Sequence, residues 1–350
     1  MKNRYLILLA FPLLSSLCSC QVNHDRFFKL WNIDKSSALA TLKEYVKDVT
    51  NKKSKNYIPV EDRIATFDMD GTFIGELYPT YFEYNLLEYR VLEDPSYKDK
   101  APDHVKEAAQ TIRDYARGVI NKFPAHFDMT HAYAAAEAYS GMSLKEFDEY
   151  VKEFAKTPAN GFENMLLKDS FYKPMLEVFD YLKAFDFTSY VVSGSDRYIC
   201  RALVDSINIE PNRVIGMDVK IRSTDQGEKD GVDYTMGVGE DLFRTNELII
   251  KNLKTNKVKQ ISQEIGKVPV LSFGNSSGDS AMHNYCMGNT QYRSEAFMLI
   301  ADDTERDHAN MEETNKRKAA WEEAKYNIIS MKDDFKTIYG YDVKKVDFHF

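Results

Sequence analysis

Residues 63–72 read Arg63-Ile64-Ala65-Thr66-Phe67-Asp68-Met69-Asp70-Gly71-Thr72, and the fold turns on how that run is interpreted. Ile64 to Phe67 is a short apolar run with β-branched and aromatic members, bounded upstream by Pro59 and downstream by Gly71. That is the signature of a buried parallel strand. Asp68 and Asp70 follow at its carboxyl end, where open α/β sheets bind their ligands. Two residues apart in an extended chain, the carboxylates point the same way and repel unless a cation lies between them. Gly71 gives a tight exit, and Thr72 can bond the turn. Taken alone, the same residues also describe a solvated turn, so the rest of the chain decides.

Further along, two more apolar runs end in small polar residues. Phe187–Val192 leads into Ser193-Gly194-Ser195-Asp196 and a helix over 197–208, a turn suited to holding an oxyanion on backbone N–H groups. Val268–Phe273 leads into Gly274-Asn275-Ser276-Ser277-Gly278-Asp279-Ser280. Parallel strands bring all three turns to one edge of a sheet. The converging set is rich in oxygen and contains no His or Cys, which favours a hard cation such as Mg²⁺ over zinc.

Between the first strand and the second lies a block with helical periodicity only. Segments 81–92, 104–123, 129–140 and 143–156 are punctuated by Asp94-Pro95 and Pro124. Inserted straight after the first strand, this block reads as a cap over the site. The fold expected is α/β, a doubly wound and mostly parallel sheet with an inserted helical cap. The core comprises 58–77 plus 171–350, the cap 78–170, and 20–57 an N-terminal extension with a helix over 36–49. Val214–Met236 reads as a strand, a polar turn around 225–231 and a return strand. Ala296–Ala301 is a further strand, followed by helical residues near 312–326 and a polar tail.

The first 19 residues read as an export signal. Lys2 and Arg4 form a positive start, Tyr5–Leu14 an apolar stretch too short to span a bilayer, and Leu17-Cys18-Ser19-Cys20 resembles a bacterial lipobox. Cys20 is then the lipidated first residue, anchoring the protein at the cell envelope. Cys200 and Cys286 remain, and both fall in apparent helices beside core strands, which favours buried free thiols over a disulfide. The 350 residues carry a net charge of −8, and cleavage removes two further positive charges. With no basic tract, nucleic acid is excluded as the main partner.

The chain resembles the phosphatase branch of the haloacid dehalogenase superfamily, with affinities to its phosphoserine- and phosphorylcholine-phosphatase-like members. Asp68-Met69-Asp70-Gly71-Thr72 resembles its first motif, the strand ending in Ser193 its second, a lysine its third, and Gly274-Asn275-Ser276-Ser277-Gly278-Asp279 its fourth. Lys257 is the lysine chosen; Lys251, Lys254 and Lys259 are near rivals. The resemblance implies a Mg²⁺-dependent phosphomonoester hydrolase working through an aspartyl-phosphate. Asp68 would be the nucleophile and Asp70 the acid and base; Ser193, Gly194 and Lys257 would hold phosphate. Asp68, Asp70, Asn275 and Asp279 would hold the metal. The acid at position 70 argues for phosphate, since the superfamily's dehalogenating members lack it. Asn275 departs from the pattern, which has Asp there. The implied substrate is a small phosphorylated metabolite such as phosphoserine or phosphocholine. The competing readings are a phosphotransferase or mutase on the same fold, or a surface binding lipoprotein without catalysis.

Overall fold

A computed structural model describes residues 23–350. The signal segment and Cys20 lie outside the described residues. Nine strands are present among them: β1 (Ile64–Phe67), β2 (Phe162–Glu163), β3 (Thr188–Asp196), β4 (Val214–Ser223), β5 (Leu242–Ile250), β6 (Leu271–Gly274), β7 (Glu295–Ile300), β8 (Asn327–Ser330) and β9 (Lys344–Lys345). Seven form one sheet in the order β5-β4-β3-β1-β6-β7-β8, parallel throughout except for the β4–β5 pair. β1 lies in the middle, so all four of its residues are buried. This is why it reads as an unbroken apolar run. The two remaining strands, β2 and β9, pair with each other and tie the end of the cap segment to the C-terminal residues.

The helices precede, cap and flank this sheet. α1 (Ser37–Thr50) starts where the Ser36 hydroxyl accepts the Leu39 N–H, and buries Ala38, Leu42, Tyr45, Val46 and Val49 along one face. The cap contributes α2 (Phe82–Leu92), α3 (Asp103–Ala116), α4 (Phe127–Ala138) and α5 (Leu144–Phe154). Ser143 and Glu146 form a reciprocal capping box at the start of α5. α6 (Lys173–Ala184), α7 (Arg197–Val204), α8 (Thr255–Glu264), α9 (Ser280–Met287), α10 (Met311–Glu323) and the short α11 (Met331–Asp334) complete the core. Beneath the strand ends the core is aromatic. Phe67 stacks on Phe273 at 4.3 Å and on Phe179 at 4.1 Å, and Phe273 stacks on Phe297. Such stacked rings bury large areas in a fixed geometry and give the site a stiff floor. Phe28 and Trp31 dock on this body as expected; the Trp31 indole donates to the Pro174 carbonyl. Cys200 and Cys286 are buried free thiols.

Two expectations fail. The return strand lies at 242–250 rather than before Met236; a 3₁₀ turn at Gly231–Asp233 and a loop through Gly239 separate it from β4. β5 hides from a periodicity reading because Arg244, Asn246 and Glu247 interrupt its apolar residues on a half-exposed edge. The C-terminal region is also more than a polar tail. β8 adds a parallel edge strand beyond β7, and Phe335, Ile338 and Tyr339 are buried.

β5 also joins the sheet to the cap. The Arg244 N–H and carbonyl bond Met142 and Gly141, and Ser143 pairs with Phe243. The Arg244 side chain turns inward, its guanidinium 2.6 Å from Asp196 and 4.0 Å above the Phe147 ring of α5. Both partners are buried, so removing the cation leaves an uncompensated carboxylate. Arg244→Leu is expected to lower stability by about 3 kcal/mol in urea unfolding. A change within about 0.5 kcal/mol, the ordinary range for surface substitutions, would contradict this account of the joint.

Candidate active site

β1 delivers Asp68 directly, and the Asp68 N–H continues the ladder to the Phe273 carbonyl. The chain then folds back on the Met69 carbonyl, which accepts N–H groups from Thr72 and Phe73. Gly71 takes φ +74°, and a Cβ there would come 1.9 Å from the Asn275 amide nitrogen. Glycine is therefore required both by conformation and by the close approach of the β6 turn.

The sequence-predicted residues meet. Lys257 on α8 is almost wholly buried, and its ammonium lies 2.6 Å from Asp68 Oδ1 and 2.7 Å from Asp279 Oδ1. Burial opposes that charge, but the two carboxylates win and hold the Lys257 pKa above its usual value. Of the rival lysines, Lys254 and Lys259 are exposed, and Lys251 pairs with Glu83. Asp279 Oδ2 accepts the N–H groups of Asn275 and Ser276. Burial pushes Asp279 up, yet Lys257, His283 and these bonds together keep it below the usual carboxylate range. Asp70 Oδ2 accepts from the Ser195 hydroxyl at 2.7 Å.

Ser193 is the exception. It is fully buried, its Oγ accepts the Ser195 N–H, and its carbonyl is held by the Asn252 amide. The cavity is lined instead by Gly194 and Ser195, together with Asp68, Asp70, Lys257, Asn275, Ser276 and Asp279. Ser195 was therefore missed, although it stands in the same Ser-Gly-Ser-Asp run.

Two acids that follow the first motif, Glu76 near the end of the first core segment and Glu83 at the start of the cap, were also missed. Glu83 on α2 accepts from Lys251 at 2.8 Å and from the Asp196 N–H at 3.0 Å. Glu76 accepts from the Asn275 amide at 3.2 Å. The only signal either carried was an acid a few residues after the first motif. Glu76, Tyr81, Tyr84, Asp128 and Asn275 line both this cavity, of about 70 Å³, and an adjoining chamber of about 330 Å³. The chamber adds Tyr115 and Phe123 from the cap side and Glu313 and Arg317 from α10.

The charge balance is uneven. Burial, reinforced by Asp279, pushes Asp68 up to about 7 against the pull of Lys257. Burial likewise takes Asp70 to about 7 against its Ser195 bond, and Glu76 to about 7 against Arg317. Lys257 pairs with Asp68 and Asp279, Lys251 is bonded to Glu83, and Arg317 is the cation that opposes Glu76, so Asp70 has no ion-pair partner of its own among the described residues. Asp70 Oδ1 is buried with no hydrogen-bond partner among the described residues. An all-oxygen set with excess negative charge and an orphaned carboxylate oxygen fits a hard divalent cation. Among the described residues, no group of three or more His, Cys, Asp or Glu side chains is arranged to hold a metal by itself.

The chain is similar to several solved structures. A protein from Anaerococcus prevotii, described as conserved and functionally unknown, superposes with a TM-score of 0.51 at 14% identity, over 84% of this chain and 91% of that one. A phosphoserine phosphohydrolase-like protein from Francisella tularensis gives 0.42 at 14% identity, over 76% and 94%. Cytosolic 5′-nucleotidase IIIB bound to cytidine gives 0.49 at 12% identity, over 87% and 88%. No family model matches the sequence, and no curated protein matches it. The α/β fold expected, a mostly parallel sheet flanked by helices, is the fold observed.

The raised acids have a consequence for stability. With its pKa near 7, Asp70 keeps in the folded state a proton that the unfolded chain releases near pH 4, so its contribution falls as pH rises between those values. Buried His131 and His283, whose pKa values are lowered, act in the opposite sense below pH 6.5, so a variant is the proper reference. In EDTA, Asp70→Asn is expected to gain thermal stability over the native protein, and to gain more at about pH 8 than at about pH 5. Melting curves with an equal difference at both pH values would contradict the shift.

Proposed function

We propose that the protein is a phosphomonoester hydrolase of the haloacid dehalogenase superfamily, exported and lipid-anchored through Cys20 at the cell envelope. The observation that carries this reading is the convergence of Asp68, Asp70, Lys257 and Asp279 in one buried cavity at the carboxyl ends of β1, β3 and β6. Geometry of this kind serves phosphoryl transfer, where positioning and charge stabilisation do most of the work.

In the first half-reaction an Asp68 carboxylate oxygen attacks phosphorus. The bond from phosphorus to the leaving oxygen breaks, and the Asp70 carboxyl gives that oxygen its proton. In the second, the Asp70 carboxylate takes a proton from water, and that water oxygen attacks phosphorus. The phosphorus bond to Asp68 breaks and inorganic phosphate leaves. A group required as an acid and then as a base works best with a pKa near the operating pH, and Asp70 has one of about 7. Lys257 keeps Asp68 oriented and would offset the charge of the phosphoryl oxygens, with Gly194 lining the cavity beside them. Mg²⁺ held by Asp68, the Asp70 carbonyl and Asn275, with Asp279 behind them, would supply charge neutralisation between nucleophile and phosphate.

The adjoining chamber receives the leaving group. Its walls of Tyr81, Tyr84, Tyr115 and Phe123 with Asp128 favour a small organic group bearing an ammonium, as in phosphoserine or phosphocholine. The test is hydrolysis of p-nitrophenyl phosphate by residues 21–350, with Mg²⁺ and with EDTA. Turnover should require Mg²⁺, and Asp68→Asn should reduce it by at least about a thousandfold, the scale for loss of a covalent nucleophile. Turnover that survives Asp68→Asn would overturn the assignment of the nucleophile. Absence of turnover on a panel of phosphomonoesters would overturn the enzyme reading.

A further inference from the structure

The fourth motif carries Asn275 where a carboxylate is expected, and the structure sets another carboxylate against it. Asn275 Nδ2 donates to Glu76 Oε1 at 3.2 Å, while Asn275 Oδ1 lies 3.4 Å from the Thr72 hydroxyl. An amide has two chemically different ends, and an acceptor fixed at the nitrogen end decides which way the other points. Glu76 therefore holds the oxygen of Asn275 away from itself. Gly71 permits the arrangement, since a Cβ there would lie 1.9 Å from Asn275 Nδ2 and 2.7 Å from the Glu76 carboxyl carbon.

We propose that Glu76 and Asn275 act as one unit in the cation site: Glu76 supplies the negative charge that Asn275 lacks and positions the Asn275 carboxamide to ligate through oxygen. Glu76 is a positioning residue in this scheme. The inference rests on the reading of the cavity as a divalent-cation site. It also explains why Asn belongs at 275. An Asp there could not donate to Glu76, so the contact that turns the oxygen of residue 275 would be lost. The charge of the site is thus the same whether it is carried as Glu76 with Asn275 or as a neutral residue at 76 with Asp at 275.

The test is a double-mutant cycle read by Mn²⁺ binding, followed by electron paramagnetic resonance in the absence of substrate. Glu76→Gln should weaken Mn²⁺ by about tenfold or more, the scale for loss of a residue that orients a metal ligand. Asn275→Asp alone should gain less than about threefold, because Asp cannot donate to Glu76 and the contact that positions residue 275 is lost. The double variant Glu76→Gln/Asn275→Asp should return to within about threefold of the native protein, a non-additivity expected only of residues in one network. Affinity unchanged in Glu76→Gln, with only KM affected, would overturn the proposal and give Glu76 to the leaving group. Purely additive effects would overturn it too, as would a tenfold gain from Asn275→Asp alone. Native protein that binds no Mn²⁺ would overturn the cation reading itself, which separates the two failures. Circular dichroism on each variant confirms folding, and Asn275→Asp decides the matter should Glu76→Gln not fold.

Discussion

The Lys257 ammonium stands between Asp68 and Asp279 at 2.6 and 2.7 Å, in a cavity where all three side chains are buried. Ions this far from water are stable only when paired and hydrogen-bonded, so the cluster dictates how the surrounding chain must run. Asp279 has to begin α9 where its second oxygen can take the Asn275 and Ser276 N–H groups. Asp68 has to end β1 beside β6. Gly71 has to lack a side chain. The aromatic stack of Phe67, Phe273 and Phe297 beneath them fixes the strand ends, and so fixes the distances on which the ion pairs depend. Lys257 balances only one of the two carboxylates that it joins, and the proposed divalent cation would offset the negative charge that remains.

A second level of organisation joins the cap to this floor. Glu83 at the start of α2 reaches across to Lys251 and to the Asp196 N–H, at the end of β3. Asp196 in turn holds Arg244, which stacks on Phe147 of α5. Two cap helices are thus fastened to the turn carrying Gly194 and Ser195 by buried, directional contacts. Networks of this kind are stabilising when every member is satisfied and costly when one is removed. The cap walls of the larger chamber are therefore registered to the buried cavity through charge as well as through packing.

Much of this was legible in the chain. β1 announced itself because a central parallel strand is buried on both faces, and Asp68 and Asp70 because two further strand-end turns with oxygen-bearing side chains follow along the chain. Lys257 could be chosen on order along the chain, but only folding separates it from its rivals: Lys254 and Lys259 end in solvent, and Lys251 serves Glu83. What sequence could not reveal were contacts made between distant segments. Glu76, Glu83 and Arg244 look like ordinary surface charges until the cap folds down, and their partners lie far away along the chain. Ser193 and Ser195 are indistinguishable as residue types. The backbone path at the end of β3 turns one inward and brings the other to the cavity.

The central claim is that Asp68 carries the phosphoryl group between the two halves of the reaction. It is tested most directly by acid-quenching the protein during turnover of a phosphomonoester, reducing any acyl phosphate with borohydride, and locating the modified residue by peptide mass spectrometry. The account predicts modification at Asp68, dependent on substrate and on divalent cation. Modification at another residue, or an active protein whose Asp68 is never modified, would contradict it.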